Sequence, residues 1–291
     1  MVEIKVCTHP DGPDKPPKCK EGTAFIDTGS PVTMLVGPAL PKEMLPSKIL
    51  GEAHGAGFLT DREVRVGRPV KAQFTIPGCV KDLPVTALAM EKGIGRPDTL
   101  ALIGTDVLKV AGATIHPWGR TARSAMRCAP KKRRIESPRR KGIVCTGPFA
   151  NAVCDTLRMC PPDAKTTTAP GCRDVRALFD TGAPTTAVRE GVLTDGYPAG
   201  QPLFAGGRGE SVSAHPTTAL RLDAHKCPTW VVRPAAVFDD REWPSNDIDV
   251  LVGMDYLGHT RAALHPWSTP AVMTCLPKRA TYRTPGPTIE W

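Results

Sequence analysis

The stretch "AFIDTGSPVTMLV", residues 24–36, begins as an apolar strand and then sets an acid, a hydroxyl and a glycine in a row. Residues 177–188 read "ALFDTGAPTTAV", the same pattern again. An aspartate at one strand-to-turn junction is ordinarily a turn former, because its side chain binds nearby backbone N–H groups. Two copies in equivalent surroundings ask for more than a turn.

The surroundings are equivalent over most of the chain. Cys19 and Cys172 each precede the Asp by eight residues, and Cys7 and Cys160 lie twelve residues earlier again. Further on, Cys79 matches Cys227, "LIGTDVL" (102–108) matches "LVGMDYL" (251–257), and "IHPWG" (115–119) matches "LHPWS" (264–268). Cys128 in "AMRC" then matches Cys275 in "VMTC". Landmarks kept in this order mark a tandem duplication. The units span 1–130 and 154–280, joined by a basic, Pro-containing linker over 131–153 and followed by a tail over 281–291.

Composition points to strands. The 291 residues include 31 Pro but only 5% aromatics, which favours short strands broken by turns over long helices. Within each unit "IKVC" and "LRMC" read as opening strands, and "GTAFID" and "VRALFD" as strands running into the acidic turn. "REVRV" with "VKAQFTI", and "ESVSA" with "TALRLD", read as pairs of hairpin arms. "PVTALAM" and "TWVVRPAAVF" are further strands. Only the residues after Gly104 and Gly253 read as helical, for about two turns. "ATIHP" and "SAMRC" read as a closing hairpin. The predicted fold class is all-β.

Taken together, "DTGS", "DTGA", "ALIGTDVL" and "VLVGMDYL" resemble the retropepsin-like aspartic proteases of retroviruses and gypsy-type retrotransposons. The resemblance covers about 20–118 and 173–267. It implies two β-barrel-type lobes, each giving half a site, paired as a single-chain pseudo-dimer. It implies an aspartic endopeptidase that hydrolyses an extended polypeptide, such as its own precursor polyprotein, with no cofactor and no metal. Asp27 and Asp180 are then the catalytic pair. Two carboxyls about 3 Å apart share one proton, so one can activate water while the other protonates the scissile carbonyl. Thr28 and Thr181 are expected to bond across the lobes, and Gly29 and Gly182 to let the backbone pass beneath the carboxyls. Gly104 and Gly253 complete the support. Ser30 is expected to donate to Asp27, whereas Ala183 offers Asp180 nothing. That difference predicts an ionised Asp27 and a protonated Asp180. The resemblance also implies a flap hairpin, with tips at Thr60, Asp61 and Arg62 in the first unit and Gly206, Gly207, Arg208 and Gly209 in the second.

Other features take blander readings. Asp106 and Asp255 follow the repeat glycines by two and read as helix caps. His116 and His265 have no second ligand at metal spacing, so turn or packing roles fit them better than zinc. Trp118 and Trp267 read as anchors of the closing hairpin. The ten cysteines show no CxxC spacing. Cys7–Cys19 and Cys160–Cys172 bridges are open to them, but reduced, buried thiols are the expectation. That expectation goes with an intracellular location, since "MVEIKVCTHP" has no apolar h-region and reads as no signal peptide.

The net charge is +9, and residues 131–141 ("KKRRIESPRRK") hold seven basic residues and Glu136, a net +6. A solvated linker accounts for this run, with a nuclear-localisation or nucleic-acid patch as the alternative. No apolar run is long enough to span a membrane. Between Cys128 and Cys154 lie 25 residues, which as a flexible coil reach about 25–30 Å. Such a coil holds the halves at a high effective concentration, so a monomer is expected. The remaining alternative is a catalytically silent scaffold of the same fold that binds without cleaving.

Overall fold

A computed structural model describes residues 1–9, 16–44, 49–54, 63–90, 96–117, 125–128, 143–205, 213–224, 227–243, 245–275 and 289–290. The first lobe contains β1 (Val2–Thr8), β2 (Lys18–Ile26), β3 (Met34–Val36), β4 (Ile49–His54), β5 (Glu63–Ile76), β6 (Val80–Met90) and β7 (Thr99–Ile103). Helix α1 (Thr105–Ala111) and strands β8 (Ala113–His116) and β9 (Ala125–Cys128) follow. The second lobe repeats the series. It contains β10 (Cys154–Cys160), β11 (Arg173–Phe179), β12 (Ala187–Arg189), β13 (Ala199–Ala205), β14 (Ser213–Asp223), β15 (Trp230–Phe238) and β16 (Val250–Val252). Then come α2 (Met254–Thr260), β17 (Ala262–His265) and β18 (Val272–Cys275). A last short strand, β19 (Ile289–Glu290), lies in the tail.

Each lobe closes into a six-stranded barrel. In the first the order is β1-β2-β7-β3-β6-β5, and β5 returns to pair with β1. In the second it is β10-β11-β16-β12-β15-β14, with β14 returning to β10. Corresponding strands occupy corresponding places, so the duplication read from the sequence is a duplication of fold. β4 and β13 lie outside the rings, each as one arm of a hairpin on β5 or β14. His54 pairs with Glu63 and Ala205 with Ser213, so the expected flap tips fall between paired arms. The tip residues Thr60, Asp61, Arg62 and Gly206–Gly209 lie outside the described residues, as do 131–142 and Trp118.

One reading of the strands needs correction. Residues 63–66 of "REVRV" and all of "VKAQFTI" are not two arms but parts of one strand, β5, and residues 213–214 of "ESVSA" run into "TALRLD" as β14. The intervening "GRP" was read as a break. Pro69 instead pairs with Leu88 beyond a register shift that starts at Val66, and a bulge of this kind absorbs the missing N–H without turning the chain.

The lobes are joined by a third sheet, in the order β18-β17-β8-β9-β19. Leu264 of β17 pairs with Ile115 of β8, and β19 pairs with β9 through Ile289 and Met126. One apolar core runs through this junction. Ile26, Leu35 and Ile103 from the first barrel, Phe179, Val188 and Val252 from the second, and Ile115 and Leu264 between them belong to a single buried cluster. The expected linker divides as well. Its end, including Cys145 and Ala152, packs on the second lobe against Leu178, Ala187 and Trp243.

All ten cysteines are paired, which corrects the expectation of reduced thiols. The bridges are Cys7–Cys19, Cys79–Cys128, Cys145–Cys154, Cys160–Cys172 and Cys227–Cys275. Cys79–Cys128 and Cys227–Cys275 are repeat-equivalent, and each ties the far end of a barrel strand to the junction sheet. No bridge joins one lobe to the other.

Candidate active site

The two DTG turns meet at the junction of the lobes. Each begins where an apolar strand ends: Asp27 N–H donates to Ile103 O and Asp180 N–H to Val252 O, both at 3.0 Å. Thr28 Oγ1 donates across the junction to Phe179 O at 2.8 Å, and Thr181 Oγ1 donates to Ile26 O at 2.8 Å. Each hydroxyl also accepts the other threonine's N–H, at 3.0 Å for Thr181 N and 3.2 Å for Thr28 N. Four reciprocal bonds thus fix the turns to each other.

This places the two carboxyls side by side. The Gly29 N–H donates to Asp27 Oδ1 at 2.9 Å and also reaches Asp180 Oδ1 at 3.2 Å. Ser30 N–H is a second donor to Asp27 Oδ1 at 2.9 Å, and Gly182 N–H donates to Asp180 Oδ1 at 2.7 Å. The glycines are required by space. A Cβ on Gly29 would fall 2.4 Å from Asp180 Cγ, and one on Gly182 would fall 2.6 Å from Asp27 Cγ.

Asp27 is 4% exposed and Asp180 8%. Burial holds the Asp27 carboxyl well above the usual carboxylate range, and the neighbouring charge and hydrogen bond of Asp180 raise it further. The Ser30 and Gly29 amides oppose this without cancelling it. The pair therefore keeps a shared proton, but the expected support of an ionised Asp27 by the Ser30 hydroxyl is absent. The reason is geometric. Ser30 Oγ donates to Val32 O at 2.7 Å, so its one proton is turned away from the carboxyl, and only its backbone N–H serves Asp27.

A second layer holds the turns from behind. Thr33 N–H and Oγ1 donate to Asp106 Oδ2 and Oδ1 at 3.0 and 2.7 Å, and Thr33 Oγ1 accepts Gly104 N–H at 3.0 Å. Thr186, Asp255 and Gly253 repeat the arrangement at 2.9, 2.6 and 3.1 Å. Asp106 and Asp255 are not the caps, which are Gly104 and Gly253; they lie in the first turns and each also binds the next amide, of Val107 and Tyr256. Their bonds to Thr33 and Thr186 are the part that was not anticipated. The clue was present: both threonines stand six residues after the DTG aspartate. Thr105 N–H and Met254 N–H then bind Ser30 O and Ala183 O at 2.9 and 2.8 Å. Gly104 is confined by this packing, since a Cβ there would meet Val32 O at 2.5 Å.

Of the residues singled out, the structure brings together Asp27, Thr28, Gly29, Ser30, Asp180, Thr181, Gly182, Ala183, Gly104 and Gly253. His116 and His265 lie apart from them, in the junction sheet. Trp267 anchors that sheet, donating its indole N–H to Thr114 Oγ1 at 3.0 Å. No group of three or more His, Cys, Asp and Glu among the described residues is placed to hold a metal. Nor is any described helix long and apolar enough to cross a membrane.

No protein-family model matches the chain, and no curated protein matches it in sequence.

Proposed function

We propose that this chain is an aspartic endopeptidase whose two catalytic carboxyls come from the two lobes of one polypeptide. The observation that carries the reading is the pair itself: Asp27 and Asp180, buried, adjacent and touched by the same Gly29 N–H. Such a pair has one task that a turn-forming aspartate does not: it keeps one proton and one negative charge side by side in a water-poor site.

With the shared proton drawn on Asp27, whose carboxyl burial holds high, the protons balance. Asp180 takes a proton from a water as that water adds to the scissile carbonyl carbon, and Asp27 gives its proton to the carbonyl oxygen. On collapse of the tetrahedral diol, the proton held by Asp180 passes to the leaving nitrogen and the C–N bond breaks. Asp27 recovers its proton as the carbonyl re-forms. One water is consumed, and the pair returns to its starting state.

The substrate class in this reading is an extended polypeptide, including the chain's own precursor, and the origin is a retroelement. In this reading β4–β5 and β13–β14 serve as the flap hairpins. The intact pair weighs against a silent scaffold, because one altered carboxyl would be enough to end turnover. The five disulfides suit a chain that matures in oxidising surroundings, in place of the reducing cell interior expected from free thiols.

The test is hydrolysis of a reduced, alkylated protein substrate at pH 4–7, with and without pepstatin, in ¹⁸O-labelled water. The reading expects pepstatin-sensitive cleavage that places the label in each new carboxylate. No cleavage across the range, or cleavage blocked by a chelator and indifferent to pepstatin, would overturn it.

A further inference from the structure

The junction sheet has two unlike faces. Ile115 and Leu264 pair across the lobes and point into the common core. Strand alternation then puts Thr114, His116 and His265 together on the opposite face. Arg127 pairs with Thr114, and Thr274 with Ala263, so both belong to that face as well. Two histidines, one from each lobe, lie here at repeat-equivalent positions, and His116 is 5% exposed. The catalytic scheme uses neither.

The hydrogen bonds that cross the lobes at this face are sensitive to a proton. Trp267 of the second lobe donates its indole N–H to Thr114 Oγ1 of the first at 3.0 Å. Thr114 Oγ1 also lies 3.2 Å from His265 Nδ1, and His265 Nε2 lies 2.9 Å from Thr274 Oγ1. Trp267 can only donate, so Thr114 is free to direct its own hydroxyl proton to Nδ1. His265 is then neutral, with its hydrogen on Nε2 facing Thr274. The Trp267 ring packs edge-on to the imidazole, with centroids 5.8 Å apart, and fixes its plane. A second proton on Nδ1 would make Thr114 Oγ1 accept from both Trp267 and His265, turning its own proton away, and would place a charge on a partly buried imidazole at the contact that joins the lobes.

We propose that this face is an acid-operated latch: neutral His116 and His265 hold the lobes in register, and their protonation opens the junction and parts Asp27 from Asp180.

The setting opposes protonation from several sides. Burial lowers both imidazoles to about 4, and for His116 the charges of Arg127 and His265 add to the effect. Several titratable groups on the packed elements bind other partners. Asp106 and Asp255 bind Thr33 and Thr186, Lys109 binds Asn151, and His259 binds Asp255 O. Asp155 lies on β10, which packs against β18, and binds Thr156 N–H. Glu290 of β19 pairs with Ala125, which in turn pairs with His116, so its register is that of the same face, and Cys275 of β18 is oxidised. A lowered imidazole favours the closed junction above the free value of 6.5, and that contribution is lost as pH falls toward about 4. The ratio corresponds to about 300-fold weaker proton binding per histidine in the closed junction.

Amide hydrogen exchange on the full chain at pH 7, 5.5 and 4, corrected for intrinsic rates, tests this. Protection of 113–116 and 262–265 should fall more than tenfold between pH 6.5 and 4, while 99–103 and 250–252 in the barrels keep theirs. In the His116→Gln/His265→Gln chain, whose amides can still bond to hydroxyls, the junction should show no such fall. Unchanged junction protection in the native chain would overturn the proposal. So would an equal fall in the double variant, or a fall of the barrels in step. NMR titration of the native chain's imidazoles reads the same point without a variant: both should titrate near 4, and either one titrating near 6.5 in the closed state would also overturn it.

Discussion

Thr28 and Thr181 exchange hydrogen bonds across the lobe junction, each hydroxyl accepting the other's backbone N–H while donating to a carbonyl of the opposite lobe. The two turns are therefore positioned by one another as much as by their own barrels. Removing one hydroxyl breaks two of the four bonds and leaves buried backbone groups unpaired, at about 1–3 kcal/mol for each such group. Thr28→Val should lower the denaturant midpoint accordingly and reduce turnover more than tenfold, with Thr181→Val behaving alike. Thr28→Ser keeps the hydroxyl and should lose little of either. A Val variant with near-normal turnover would remove the threonines from the site.

The raised carboxyl has a consequence for stability. The carboxyl of Asp27 is held above its ordinary value, chiefly by burial. A group raised in the folded state stabilises below its unfolded value, and that contribution is lost as pH rises through the folded one. Asp27→Asn, a permanently neutral substitute, should therefore melt higher than the native chain at pH 7 and no higher at pH 3, while losing all cleavage. Thermal melts at both pH values read this directly. A lower melting point at pH 7 would place the proton elsewhere.

Steric confinement predicts the outcome at the glycines. A methyl on Gly29 or Gly182 would overlap the carboxyl of the opposite lobe, at 2.4 and 2.6 Å from its carbon. Overpacking of this kind costs about 1–3 kcal/mol. Gly29→Ala and Gly182→Ala should each unfold at lower denaturant and cleave nothing measurable. Gly147→Ala, where an added Cβ meets nothing within 4 Å but φ is +58°, should cost backbone strain and leave cleavage intact; loss of cleavage there would show that the effect is not local.

The disulfides predict a mass and a melting point. Native chain treated with an alkylating agent should gain no label before reduction. Cys79→Ser/Cys128→Ser removes a bridge spanning a sequence separation of 49, worth about 4 kcal/mol if the effect is loop-closure entropy in the unfolded chain. A matching drop in the unfolding midpoint is expected. Full labelling of unreduced protein would instead restore the thiol reading.

The catalytic turn was legible in the sequence because it is written twice. Asp27 and Asp180 share a strand before them and a Leu–Ile–Gly or Leu–Val–Gly element after them, and the barrels follow that repetition strand by strand. What was not legible depends on direction or on long range. The hydroxyl of Ser30 could have pointed to Asp27 or to Val32, and residue type does not say which. The bonds between Asp106 and Thr33 and between Asp255 and Thr186 span 73 and 69 residues, out of reach of a local capping reading. Pro69 looked like the end of a strand because a bulge is a property of the pairing, not of the proline. The cysteine partners were obscured for the same reason, since Cys79 and Cys227 reach their mates only after the barrels close.

The central claim is that one chain supplies both carboxyls of one site. Mixing Asp27→Asn with Asp180→Asn chains, beside native chain at a series of concentrations, tests it most directly. The account predicts that neither variant cleaves a peptide substrate, that the mixture stays inactive, and that native activity per chain does not change with concentration. Strong rescue on mixing, or native activity that rises with concentration, would show that the working pair forms between chains; turnover by either variant alone would show that no such pair is needed.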